Sequence, residues 1–189
     1  MAATQHAQNI KQDSQNYLAT ALLQLLETKD LSDLTVTAVV KRAGVSRMAF
    51  YRNFTTLADV LTAHFEPIMT AQFDDILAHV PQDQKLAALG DFFMTLAPTM
   101  KLAVERGFEP VFQQIFEQNM QRFYAVTMTW SGATATQQKY WTQFMTAGIY
   151  RIWREWLLGG QQESLTEIHD LIATFQTATM AALQQQAQD

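Results

Sequence analysis

One short stretch concentrates the side chains able to do chemistry: Ala43-Gly44-Val45-Ser46-Arg47-Met48-Ala49-Phe50-Tyr51-Arg52-Asn53-Phe54. A guanidinium such as that of Arg47 can donate two parallel hydrogen bonds to a guanine edge, and Met48 or Ala49 can lie against a thymine methyl. The Tyr51 hydroxyl and the Asn53 amide suit phosphate oxygens, contacts that fix register on a duplex without reading it. This chemistry needs Phe50 and Phe54, at i and i+4 of one helix, to take the inward face and leave Arg47, Met48, Tyr51 and Arg52 outside. Thr35, Thr37 and Ser46, at the openings of the two short helices, complete the candidate DNA-binding set.

The charge pattern agrees with that chemistry, although the whole chain does not. Its 189 residues carry a net charge of −5. Residues 1–60 hold six basic and five acidic side chains, and the remainder holds seven and thirteen. No acid lies between Asp33 and Asp59, whereas Lys41, Arg42, Arg47 and Arg52 all do. A basic patch on an acidic body is the electrostatic footprint of phosphate binding, which the overall charge hides.

The elements that must position these residues are helices. Apolar residues recur at three and four almost throughout, with few prolines and glycines, so the fold class is all-α. A first helix carries Ile10, Tyr17, Leu18, Ala21, Leu22, Leu25 and Leu26 along one stripe. Thr35 caps a short second helix with Val36, Val39, Val40 and Ala43 inward; Gly44 stops it, and Ser46 caps a third. Thr56-Leu57-Ala58-Asp59 has the form of a capping box and opens a fourth helix toward Val80, in which Pro67 is expected to cause a bend or break. A fifth helix spans 84–105 with an interruption near Pro98, and a sixth runs from Val111 to about Thr129. A seventh covers 135–158 and ends at Gly159-Gly160, which supply a left-handed cap. A second capping box, Ser164 to Glu167, opens the last helix. Two short helices joined by Ala43-Gly44-Val45 after a longer one make a helix-turn-helix, whose second member enters the major groove.

The stretch "LTVTAVVKRAGVSRMAFYRNFTTLADVL", Leu34 to Leu61, closely resembles the DNA-binding segment of the TetR family of transcriptional repressors. Thr35, Ala43-Gly44-Val45-Ser46, Tyr51 and Phe54 match that family's pattern position by position. Trp156 in "IWREWLLGGQQESLTEI" is similar to a C-terminal region of one TetR-like branch. Asn53 stands where histidine is common, which keeps a hydrogen-bonding group there. Leu57 stands where a phosphate-contacting lysine is usual, so that contact is not carried over. The resemblance implies a DNA-binding domain over 1–58, a ligand-binding and dimerisation domain over 59–189, and a repressor released by a small apolar effector. It implies double-stranded operator DNA and a second copy of the chain as partners.

Ten of twelve phenylalanines, all four tryptophans and seven of nine methionines lie beyond residue 60. They form a helical core, and some of them can also wall an apolar cavity, since Met and aromatic side chains adapt to ligand shape. Met69, Phe73, Phe93, Phe112, Phe116, Met120, Tyr124 and Phe144 are the candidate wall residues. The last two helices carry more apolar surface than one subunit needs, and pairing across a two-fold axis would make a four-helix bundle. Trp141, Gly148, Ile152, Trp156, Ile168, Ile172 and Phe175 are the candidate interface residues.

Other classes find little footing. The chain has no cysteine, so disulfides and thiolate metal sites are excluded. His6, His64, His79 and His169 are scattered, with no metal-ligand spacing, glycine-rich phosphate loop or nucleophile elbow; neither enzyme activity, nor a cofactor, nor a metal is expected. No apolar run approaches a membrane span and the N-terminus lacks a signal-peptide layout, so a cytoplasmic protein is expected. The alternative to a regulator is a helical carrier or sensor of hydrophobic small molecules that does not bind DNA.

Overall fold

A computed structural model describes the backbone of residues 2–186 and the side chains of 11–185. Ile10 and His6 therefore lie outside the described side chains, and the end of the glutamine-rich tail lies outside the described residues. The described residues form eight α-helices and two short 3-10 turns, with no strand: α1 (Ala2–Leu26), α2 (Val36–Ala43), α3 (Arg47–Tyr51), α4 (Leu57–His79), α5 (Lys85–Glu105), α6 (Glu109–Thr127), α7 (Ala135–Leu158) and α8 (Leu165–Gln186). No described helix is long and apolar enough to cross a membrane.

Most helix ends are set by local hydrogen bonds. Thr35 Oγ1 accepts from the Ala38 N–H at 3.2 Å, and Ser46 Oγ from that of Ala49 at 3.1 Å. At α4, Thr56 Oγ1 accepts from the Asp59 N–H while the Asp59 carboxylate accepts from the Thr55 and Thr56 N–H groups. Those backbone donors, Thr56 first, hold the Asp59 carboxyl below its usual range. Ser164 and Glu167 repeat the arrangement at α8, and Thr134 with Gln137 at α7. Gly44 (φ 68°) and Gly160 (φ 86°) take the left-handed conformation that ends α2 and α7. The chain after each returns an N–H to a carbonyl five residues back: Val45 to Val40 and Gln161 to Trp156.

Three expectations are corrected: a break at Pro67, an interruption at Pro98 and the burial of Tyr17. Neither proline interrupts its helix, since α4 runs unbroken from Leu57 to His79 and α5 from Lys85 to Glu105. A proline removes one backbone donor. Pro67, and Ala63 one turn before it, are both exposed, so the carbonyl deprived of its donor is open to water. Pro98 is exposed as well. Tyr17, expected on the buried stripe of α1, is 59% exposed, at the margin of a face that Leu18, Leu22 and Leu26 fill.

Two compact units emerge, one of residues 1–68 and 99–115, the other of 69–98 and 116–189. The expected boundary at 58/59 falls at the start of α4; the division falls further along the same helix, and takes 99–115 into the N-terminal unit. That unit packs α1 on α2 and α3 around Leu22, Leu26, Val39 and Phe50. The larger unit is built from aromatic rings on α4, α5, α6 and α7: Phe73 against Phe93 and Phe123, Phe93 against Phe116 and Trp153.

Two polar side chains fix helices within this second unit. Lys85 is buried, and its Nζ donates to the carbonyls of Ile76, Leu77 and Val80 at 3.0, 2.8 and 2.6 Å. A cation thus meets the negative end of α4, where it is stabilising and adds a donor to the last carbonyls. His169 of α8 lies in a notch made by Gly90 of α5. A Cβ on Gly90 would overlap the imidazole and come within 2.8 Å of Trp153 Cζ2. His169 Nε2 is buried without a hydrogen-bond partner among the described residues. Burial holds the imidazole pKa below its ordinary value, against the opposing pull of Asp91 and Asp170.

Gly90→Ala is predicted to destabilise the protein by a net ~1–2 kcal/mol in urea unfolding, overpacking outweighing the gain in helix propensity. The lowered His169 pKa means that the unfolded chain takes up the proton first. Its contribution is therefore complete above pH 6.5, the ordinary imidazole value, and is lost as the pH falls below it. His169→Gln, neutral at every pH, should flatten part of the decline in the urea midpoint between pH 7 and 5. His64, lowered in the same direction by burial, accounts for a remainder.

Candidate functional site

The edge formed by α3 is assembled from its buried side outward. Phe50 has no exposed surface and Phe54 is buried, their ring centroids 5.9 Å apart. Tyr51 stands edge-on to Phe50 at 5.2 Å, yet is itself 54% exposed. Met48 is 73% exposed, and Arg47 and Arg52 are exposed beside it. The Arg47 guanidinium carbon lies 5.9 Å from the centre of the Tyr51 ring. A cation over an exposed ring gains about 0.5–1 kcal/mol, enough to bias the arginine toward one orientation. Lys41 and Arg42, both exposed, occupy the last turn of α2, where positive charge complements the helix dipole. Arg42 Nε donates to Gln24 Oε1 at 2.8 Å.

The candidate residues divide by how they are engaged. Thr37 is exposed and joins the outer face of α2. Thr35 and Ser46 are exposed but spend a hydroxyl lone pair on capping. Asn53 is turned inward: its Nδ2 donates to the Ala49 carbonyl at 2.9 Å, and its Oδ1 is buried. It closes the end of α3 from within. At the start of α4, beside Leu57, the Asp59 carboxylate accepts the Thr55 and Thr56 backbone N–H groups.

The candidate wall residues are not brought together as one set. Met69, Phe73, Phe93, Phe116, Met120 and Tyr124 are buried in the larger unit. There Phe116 meets Tyr150 at 5.4 Å and Tyr124 meets Trp141 at 5.1 Å. The Tyr124 hydroxyl accepts from Gln176 Nε2 at 2.6 Å, and burial pushes its pKa upward. Phe112 belongs instead to the N-terminal unit, packed on Phe65 at 4.6 Å and Phe108 at 6.1 Å. Phe144 stands away from the cluster as well, 64% exposed on the outer face of α7.

That outer face carries open apolar surface. Phe144, Gly148, Ile152, Ile172 and Phe175 line a groove of about 380 Å³ between α7 and α8. Phe144 and Phe175 are exposed in it, while Tyr140 and Leu171 are exposed elsewhere on the same two helices, each lining a separate depression. A Cβ on Gly148 would meet nothing within 4 Å. Of the other candidate interface residues, Trp141 and Trp156 are buried and donate to Thr179 Oγ1 and the Glu163 carbonyl, each at 2.9 Å. Ile168 and Ile172 are largely buried. Among the described residues no three His, Asp or Glu side chains gather as a metal site would need.

Sequence reasoning missed Arg106 of the N-terminal unit, since no local pattern links it to its partner Asp30. It also missed the Thr134 cap, which the i, i+3 spacing to Gln137 could have disclosed.

Comparison with known proteins agrees with the geometry. Residues 18–63 match the family model described as bacterial regulatory proteins, tetR family. The chain is 31% identical over 88 residues to the nucleoid occlusion factor SlmA of Marinomonas sp. (strain MWYL1), a match covering 47% of this chain and 45% of that protein. The matched part thus spans about half the length of that curated relative. Among solved structures, the dihydroxyacetone kinase operon activator DhaS superposes with a TM-score of 0.54 at 15% identity, over 90% of this chain and 97% of that one. At that identity the likeness is one of fold.

Ser46→Ala should lower stability by about 1 kcal/mol in urea unfolding, the usual cost of an N-cap. Ser46→Asp, which keeps an acceptor for the Ala49 N–H, should retain it.

Proposed function

The chain belongs to the tetR family of bacterial regulatory proteins through its residues 18–63, and on that premise we propose that it is a DNA-binding transcriptional regulator acting as a homodimer. The observation that carries this reading is the outer edge of α3. Arg47, Met48 and Tyr51 are exposed on a helix held by a buried Phe50, within a segment free of acids. Arg47 and Met48 read base edges in the major groove, while Tyr51, Lys41 and Arg42 engage phosphates. Asn53 acts at one remove, through the Ala49 carbonyl.

The α7–α8 face supports self-association. Tyr140, Phe144, Leu171 and Phe175 are large apolar side chains left exposed on these two helices, and clustered exposure of that kind marks association surfaces. Two copies related by a two-fold axis would bury it as a four-helix bundle and present two recognition helices to a palindromic operator.

The direction of control is repression, relieved by a small apolar effector. The Met and aromatic cluster of the larger unit supports this, since such side chains can repack around a ligand. The effector must bind the released conformer better than the DNA-bound one, because only differential affinity shifts the balance. A ligand that saturates the larger unit yet leaves operator affinity unchanged would rule this mechanism out.

Genomic fragments selected by the purified protein test the DNA-binding reading. Arg47→Ala should weaken binding to the selected site by about 1–3 kcal/mol, tenfold to over a hundredfold, and relax its base preference. Tyr51→Phe should weaken binding more modestly and alike on all sequences. A wild-type protein that retains no fragment better than a scrambled duplex at low salt would favour the hydrophobic carrier instead.

A further inference from the structure

The N-terminal unit contains a junction that neither capping nor the recognition edge uses. Arg106 follows the last turn of α5. Its Nη1 donates to Asp30 Oδ1 at 3.3 Å and its Nη2 to the Glu27 carbonyl at 3.2 Å. Its own carbonyl accepts the Leu31 N–H at 2.8 Å. One residue thus makes three bonds to the segment 27–31, across more than seventy positions of chain.

The physical logic lies in the helix ends. Residue 27 immediately follows α1, and residue 106 follows α5. Two helix C-termini brought together present their negative poles and unsatisfied carbonyls to one another. Through the Glu27 carbonyl, the Arg106 guanidinium brings a cation to the negative end of α1. The turn that holds it is closed: Gly107 is left-handed (φ 74°), and the Phe108 N–H donates to the Ala103 carbonyl at 2.9 Å. Phe108 is buried against Phe112. Arg106 is therefore presented from a fixed corner.

What it holds is the entrance to the helix-turn-helix. Asp30 precedes the 3-10 turn Leu31–Asp33, whose last residue donates back to the Asp30 carbonyl. Leu34 and the Thr35 cap of α2 follow directly. We propose that Arg106 is a positioning residue for DNA binding: by clasping 27–31 it sets the orientation of α2, and with it α3, on the 99–115 segment. This rests on the DNA-binding reading above, without making Arg106 a contact to DNA.

The test uses the full chain and the strongest fragment from genomic selection with wild-type protein. Arg106→Ala should weaken binding about tenfold, within the usual range for coupled neighbours, while thermal unfolding shows the protein folded at the assay temperature. The slope of log affinity against log salt should stay unchanged, since no phosphate contact is removed. Asp30→Ala, at an exposed position, should weaken binding in the same way, and the double variant should add little to either. Arg106→Lys, which keeps the charge but not the fork, should restore binding only in part. Amide exchange at Leu31 should quicken in Arg106→Ala without a change at Val39. Unchanged affinity in Arg106→Ala, a reduced salt slope, or strict additivity with Asp30→Ala would each overturn the proposal while leaving DNA binding intact. Absence of DNA binding by the wild-type protein would overturn both.

Discussion

A five-residue helix cannot hold itself together in water, so everything exposed on α3 depends on the burial of Phe50. That ring has no solvent-exposed surface, and its removal from water is worth about 1.5–3 kcal/mol. The Ser46 cap adds about 1 kcal/mol, and Asn53 closes the far end through the Ala49 carbonyl. Between these three constraints the backbone of residues 46–53 has little freedom left. The side chains that point away from Phe50 are then fixed in direction by helix geometry alone. Arg47, Met48 and Tyr51 point outward because nothing in the turn allows otherwise.

Features that close within one turn of chain were readable from sequence. The caps at Thr35, Ser46, Thr56 and Ser164 need only a hydroxyl and its third neighbour, and Gly44 and Gly160 need only the absence of a Cβ. The bounds of α7 were equally plain, because Gly159-Gly160 ends a long periodic run. Pro67 and Pro98 could not be judged in the same way. Whether a proline breaks a helix depends on where the freed carbonyl points, and that is decided by tertiary packing. Periodicity also says that a ring is apolar without saying what will cover it. Phe112 and Phe116 lie one turn apart on α6, yet they fall in different compact units. Phe144 has the spacing of a core residue and lies outside. Asn53 reads as a polar contact but turns inward, and Arg106 finds partners that no spacing rule connects to it.

The larger unit uses polar groups sparingly and in two opposite ways. Lys85 brings a full charge inside and satisfies it with three carbonyls at the end of α4. His169 brings in an imidazole whose Nε2 has no hydrogen-bond partner among the described residues, and burial disfavours its charged form. The first arrangement tightens a helix corner; the second works against protonation of the imidazole packed on Gly90.

The acid-free run from Leu34 to Ala58 has a consequence for folding as well as for recognition. Lys41, Arg42, Arg47 and Arg52 repel one another with no carboxylate interspersed in that sequence. A cluster kept available for phosphates is a cluster that strains against itself when no phosphate is near. Added salt screens that repulsion and eases the folding of the head, while the same salt competes with phosphate contacts. Ionic strength therefore acts on this segment with two signs, firming the free protein as it loosens the complex.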